Sequence, residues 1–484
     1  MASSSTTGYS AEQKVSMAEA GQAPKAEGRR GSDGKTGAAA VFIICFVSSL
    51  FGGVVSTLMS VYLPVSVKDL IGNVSVDKLN AISATINSVF IFGWMFGGVV
   101  WGIVCDRVGR SRTVVLSTLC FGLFTLLTSA APTWFLVSVC RFFSGFGVGG
   151  VLVTTTILVS ETWSGKKRAV ALGILSISIP VGIFSAGLIN YFLPGWREAF
   201  LIGAVPLALA IGGLFVLREP SGWTAVRSLG AAGTSGAGAS GSSGESGTSG
   251  FPGAAASSGG GRSFFAPECR ANLWKGSVIF GAMLIGMWAI FSWLPTWVQS
   301  LSGVIDAQRD RGVSMMMMGA GGLTGGFVSG WVVHAIGLRR TMLLCFAVCF
   351  GMSCLLFKLN SSFSVLAHVE IAVMAVFFGV SQGALSVFIP ELFPTAICAA
   401  ATGFCFNVGR LFTATAVFFV GALVGWLGGY SNTLFIFSFI FIIGLLATFY
   451  AGENTHYGTH QFRKRPAGHP GADGLPVGDG QAAE

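Results

Sequence analysis

Charge is what this chain has least of. Asp, Glu, Lys and Arg together make up 10% of its 484 residues against 52% hydrophobic ones, and the mean hydropathy is +0.72. Soluble domains carry about a quarter charged residues, so the composition places the chain with polytopic membrane proteins. Catalytic signatures are missing too. There is no phosphate loop of Walker type, which argues against an ATP-driven pump, and no H-E-x-x-H or nucleophile elbow, which argues against a membrane protease or lipase. The ten cysteines stand singly, without a CxxC pair or a Cys/His cluster at ligand spacing, and read as small buried apolar side chains. No metal and no cofactor is expected. Gly145-x-Gly147-xx-Gly150 imitates a dinucleotide fingerprint, but it follows no strand and lies inside an apolar run.

What fills the chain instead is about twelve apolar runs, each near the roughly 20 residues that cross a bilayer as a helix. They cover 39–64, 82–104, 113–131, 135–160, 169–193, 199–217, 274–298, 313–336, 341–357, 365–389, 397–424 and 433–450. The expected fold is therefore an all-α polytopic membrane protein, with the lipid bilayer as its solvent. Residues 1–38 are polar and lack the apolar core and cleavage site of a secretory signal, so the first span is expected to be retained. Residues 218–273 form a central loop whose heart, 228–261, is a Gly/Ser/Ala tether too polar to offset its ordering entropy. It parts a first bundle, 39–217, from a second, 274–450, and 451–484 reads as a disordered tail.

Lys and Arg resist translocation to the outer face. With the N-terminus inside, 21 of the 29 fall in cytoplasmic stretches and 6 in outer loops, among them Arg309 and Arg311. Both termini are thus expected in the cytoplasm, and the net charge of +9 is mostly this bias, with no nucleic-acid partner required.

Internal repetition comes next. Gly102-xxx-Asp106-Arg107-x-Gly109-Arg110-x-Arg112, between the second and third runs, is echoed after the eighth by Gly330-xxx-His334-xx-Gly337-Leu338-Arg339-Arg340. Later in each half, at nearly equal separation, a Glu ends a run: Glu161, followed by Arg168, and Glu391, followed by Cys398. The first pattern resembles the signature loop of the major facilitator superfamily of transporters. Arg141-xxx-Gly145-x-Gly147-x-Gly149, Gly195-Trp196-Arg197, Arg218-Glu219-Pro220-xx-Trp223 and Glu391 to Thr395 widen the resemblance to the branch of sugar porters and bacterial organic-acid symporters. That resemblance implies two pseudo-symmetric bundles of six helices around a central cavity, rocking about a solute bound near mid-membrane. It also implies an ion-pair network of Asp106, Arg107, Arg110, Glu161 and Arg168 on the inner rim, with Asp106 near a helix N-terminus across the seam. His334 and Cys398 replace the acid and the Arg of the second copy, so the latch there is weaker.

Charges inside spans are costly and usually face a cavity or a partner. Three occur here: Arg141, Glu370 and Arg410, which could share one cavity with an excess positive charge suited to a carboxylate, or could be satisfied structurally by each other or by backbone. Many proton-driven members of the branch carry an acid after Leu-Phe-Gly-x in the first helix; this chain reads Leu50-Phe51-Gly52-Gly53-Val54. Coupling then falls to Glu370, to His368, to a proton carried with the substrate, or to nothing. Asn87, Asn190, Gln382 and Asn407, with Trp94, Trp288 and Trp293, are candidates to line the path, while Thr154, Thr155 and Thr156 are expected to bond their own backbone. Met315 to Met318 read as adaptable packing.

The expectation is a non-enzymatic secondary transporter in a bacterial inner membrane, acting as a monomer. It would move a small organic anion or sugar acid, with a proton as candidate co-substrate. The alternatives are an uncoupled facilitator or exporter of a neutral solute, and a transporter-shaped sensor. A cysteine introduced within 228–261 should stay unlabelled by an impermeant thiol reagent applied to intact cells, and should react once the membrane is opened; labelling from outside would invert the orientation.

Overall fold

The computed structural model describes residues 33–72, 74–217, 219, 267–302, 307–393 and 398–451. The Gly/Ser tether and most of both tails lie outside them. Twelve helices among the described residues are long and apolar enough to cross a membrane. They are α1 (Asp33–Ile71), α2 (Val76–Val108), α3 (Arg110–Ala130), α4 (Trp134–Thr162), α5 (Gly165–Phe192), α6 (Trp196–Val216), α7 (Pro267–Ser302), α8 (Gln308–Ile336), α9 (Leu338–Leu359), α10 (Val365–Glu391), α11 (Cys398–Leu423) and α12 (Tyr430–Tyr450). No strand occurs among these residues.

Several helices outrun their apolar cores. α1 starts at Asp33, inside the stretch assigned to the N-tail, and α7 at Pro267, inside the stretch assigned to the central loop. Hydropathy registers only the turns sunk in hydrocarbon, whereas helical backbone continues into the interface, where water satisfies the terminal groups. One consequence is chemical. Arg311, expected in an outer loop, lies in the first turn of α8 and is 1% exposed.

The packing repeats at a six-helix interval. α2 crosses α4 as α8 crosses α10, α1 lies along α5 as α7 lies along α11, and α3 meets α6 as α9 meets α12. The halves join through α5 with α8 and α2 with α11, two contacts that the same interval exchanges. Pro64 in α1 and Pro295 in α7 occupy matching places.

Glycine makes the crossings possible. Within the first half, a Cβ on Gly97 of α2 would collide with the carbonyl of Phe146 in α4, and one on Gly149 with the carbonyl of Trp94. The second half does the same with Gly325 against Val376 and Gly379 against Gly322. Between hydrocarbon-soaked helices, close backbone approach of this kind supplies the dispersion contact that the hydrophobic effect cannot.

Call the end bearing the α2–α3 and α8–α9 turns the terminal face, and the other end the opposite face. Toward the opposite face the halves are locked together. A Cβ on Gly187 of α5 would come within 2.5 Å of the Gly312 carbonyl and 2.7 Å of the Met316 nitrogen in α8. Gly421 of α11 faces Ala84 of α2, and the Tyr430 hydroxyl donates to Asn80 Oδ1. Toward the terminal face, Gly173 of α5 and Gly326 and Gly330 of α8 have open space where a side chain would stand. The halves therefore meet at the opposite face and part toward the terminal one.

Gly97→Leu and Gly325→Leu should each destabilise the purified protein by about 1–3 kcal/mol or more through overpacking, read as a lower melting temperature in detergent. Unchanged melting in both variants would show that the crossings are not in close contact.

Candidate functional site

Arg141 is placed by the α2–α4 crossing one turn before Gly145, and is 1% exposed. Its Nη1 donates to the Val55 carbonyl of α1 at 2.9 Å, and its guanidinium carbon stands 3.9 Å above the Phe90 ring. Nε has no partner, and Arg141 makes no ion pair, among the described residues. Val54, next to the carbonyl it grips, is buried and apolar. A charge in hydrocarbon is thus held by a carbonyl dipole and a ring face in place of a carboxylate.

Glu370 is joined to neither arginine. It sits in the second turn of α10, where Asn360 Nδ2 donates to its Oε2 at 2.6 Å. That hydrogen bond supplies the satisfaction that the sequence left open between cavity and ion pair. His368, one turn from the start of α10, packs against Phe363 at 4.8 Å, and its Nε2 has no partner among the described residues. Arg410 differs from both. It lies in the middle of α11, half-buried, with no hydrogen bond or ion pair to any described residue.

The uncharged candidates divide. Asn87 Nδ2 donates to the Ser292 carbonyl of α7 at 3.3 Å, tying the halves together, and Trp288 meets Trp94 edge-on across the same gap at 5.2 Å. Asn190 is fully buried beside α8, with neither amide atom bonded among the described residues, while its carbonyl accepts from Gln308 Nε2 at 2.6 Å. Gln382 reaches only the Met287 sulfur at 3.8 Å, and Asn407 Nδ2 turns back to its own helix at Gly403 O, 2.9 Å away. The three threonines bond the carbonyls four residues back, at 2.9, 2.7 and 2.8 Å. Sequence reasoning missed the Arg311–Gln299 pair, in which Nη1 donates to Oε1. Its signal was a polar run, Gln308 to Arg311, that a hydropathy window discards as loop.

At the terminal face, Arg110 Nε binds Glu161 Oε1 at 3.1 Å, and Nη1 lies 3.6 Å from Asp106 Oδ1. These pairs stay within one half and are partly exposed, so each contributes little, at most about 1 kcal/mol. Arg107, Arg168 and Glu391 make no ion pair among the described residues, and Gly102 is buried in α2. Asp106 is exposed at the end of α2. An anion does stand at the N-terminus of α3 in the same half: Glu219, just beyond α6, whose carboxylate accepts from the backbone nitrogens of Arg110, Ser111 and Arg112 at 2.9, 3.2 and 3.1 Å. There it neutralises the positive end of α3. Gly109 serves it twice over: its φ is +122°, and a Cβ there would come within 2.5 Å of Glu219 Oε1. In the second half Gly337 repeats the turn at φ +89°, but the tie is reversed in sign, Arg339 donating to the Thr448 and Phe449 carbonyls at the end of α12. His334 is exposed there.

Residues 37–414 match the family described as Major Facilitator Superfamily. The chain is 25% identical over 400 residues to the cis,cis-muconate transport protein of Acinetobacter baylyi, covering 78% of this chain and 90% of that one. It is 24% identical over 416 residues to a 4-hydroxybenzoate transporter of Pseudomonas aeruginosa, covering 80% and 85%. In structure it is similar to a D-xylose-proton symporter, with a TM-score of 0.68 at 15% identity over 86% of this chain and 97% of that one.

Glu219→Gln should lower stability by up to about 1 kcal/mol, and Gly109→Ala by more, because it forces a side chain into a positive-φ backbone that essentially only glycine adopts, a strain of about 1–3 kcal/mol added to the collision. Thermal melts of both variants indistinguishable from the parent would remove Glu219 from its role at α3.

Proposed function

This chain belongs to the major facilitator superfamily, and on that premise we propose that it carries small organic carboxylates across a bacterial inner membrane by alternating access. The observation that carries the reading is Arg410: a half-buried guanidinium midway along α11, unengaged by any described residue. A cation at that depth is costly unless a partner arrives, and a carboxylate gripped by the guanidinium fork is the partner whose geometry fits. The Trp94–Trp288 pair, at the seam between α2 and α7, offers flat apolar surface to the rest of such a solute. Relatives named for muconate and 4-hydroxybenzoate, both planar conjugated carboxylates, point the same way.

The positive bias of the loops supports a cytoplasmic terminal face, and in that orientation the parted side opens inward. Arg141 takes a supporting part. Committed to the Val55 carbonyl and the Phe90 ring, it fixes α1 against α4 and keeps the first half's wall positive. A second reading, uncoupled facilitation, is favoured by Val54, since no acid stands in the 39–64 stretch of α1, beside Arg141, to exchange a proton with it. In the coupled reading the proton enters with the carboxylate or through Glu370 or His368. In this reading the protein works as a monomer.

Purified protein in liposomes should take up conjugated carboxylates in preference to neutral sugars, and Arg410→Ala should cut that uptake ten-fold or more without changing the elution profile. Parental uptake by Arg410→Ala, or transport of sugars in place of carboxylates, would overturn the assignment. Acceleration by an inward proton gradient separates symport from facilitation.

A further inference from the structure

Apart from the arginines, a groove of about 280 Å³ opens beside the first turns of α5, lined by Phe42 of α1, Trp163 of the α4–α5 turn, and Lys167, Val170, Ala171 and Ile174 of α5. The α5 residues recur at steps of three and four, so they form one stripe along the helix. Val170 and Ile174 are 62% and 44% exposed, and the rings of Phe42 and Trp163 meet edge to face at 6.4 Å to make the facing wall. The lining carries one charge, Lys167, at the terminal-face end, and no acid.

Such a groove is aliphatic along its length and cationic at one end, which is the complement of an anionic phospholipid. The Trp163 indole supplies ring face to this wall, its Nε1 being buried beneath the surface. At the charged end Ser164 makes no side-chain cap and leaves the first amides of α5 unclaimed by its hydroxyl. A zwitterionic lipid would bring its ammonium group toward Lys167, and a free phosphate would leave the apolar walls unfilled.

We propose that this groove is a binding site for one anionic phospholipid, its phosphate against Lys167 and one acyl chain laid over Val170 and Ile174. The site joins α1 to α5, and α5 is one of the helices that form the seam between the halves. Basic pockets between membrane helices recognise lipid headgroups by this chemistry.

Native mass spectrometry of the full chain tests it, with phosphatidylglycerol and a phosphatidylcholine of matched chains added to delipidated protein. Phosphatidylglycerol should be retained about five-fold more strongly than phosphatidylcholine. Lys167→Gln, a change at an exposed position, should bring the two lipids level, and Lys167→Arg should keep the preference. Ile174→Trp, which fills the groove and spares the charge, should weaken both lipids. Equal retention by the parent chain, a preference that survives both Lys167→Gln and Ile174→Trp, or displacement of the lipid by millimolar inorganic phosphate would each overturn the site.

Discussion

Helix backbones in this protein meet where glycine has taken the side chain away. In hydrocarbon there is no water to be released when two apolar helices touch, so what holds them is how closely their atoms can approach. The chain spends its glycines accordingly: Gly97 and Gly149 between α2 and α4, Gly325 and Gly379 between α8 and α10, and Gly187 and Gly312 across the seam of α5 with α8. The first two sets weld each half into a unit. The third joins the units on one side only, where Met316, Phe184 and Gly319 complete the contact. Two rigid halves, closed at the opposite face and parted at the terminal face, follow from that distribution.

Within this frame the buried charges have separate fates. Arg141 is bound to a carbonyl of α1 and a ring of α2, so it acts as part of the first half's core. Glu370 is held at the rim by Asn360. Arg410 alone of the three has no described partner, and its desolvation is the free energy that a bound carboxylate would recover. The same logic separates the two ties at the terminal face. Glu219 is placed at the positive start of α3 and Arg339 at the negative end of α12, each using the helix dipole that its own sign suits.

The twelve spans, the six-helix repeat and the charged turn after α2 were legible in the sequence because each has a strong local signature: a run of about 20 apolar residues, a duplicated pattern, a glycine between charges. The helix ends were not, since interfacial turns are polar and look like loop, and Arg311 was misplaced for that reason. Glu219 was visible as part of a motif, but its place at the start of α3 was not. A carboxylate reaching back more than a hundred residues to three backbone amides leaves no mark in local pattern. The partner of Glu370 was likewise hidden, because the sequence offered two arginines of the right sign and no reason to prefer an asparagine ten residues away.

The central claim is that the two halves exchange the face at which they touch, driven by a carboxylate at Arg410. Gly173 of α5 and Gly326 of α8 lie on the terminal side of the seam with open space around them and can take spin labels without a clash. Electron–electron double resonance between labels at these positions, in lipid nanodiscs, reads the gap directly. Addition of a transported carboxylate should populate a shorter distance in the parent and leave Arg410→Ala unchanged. A distance distribution that the carboxylate does not alter in the parent would contradict the account.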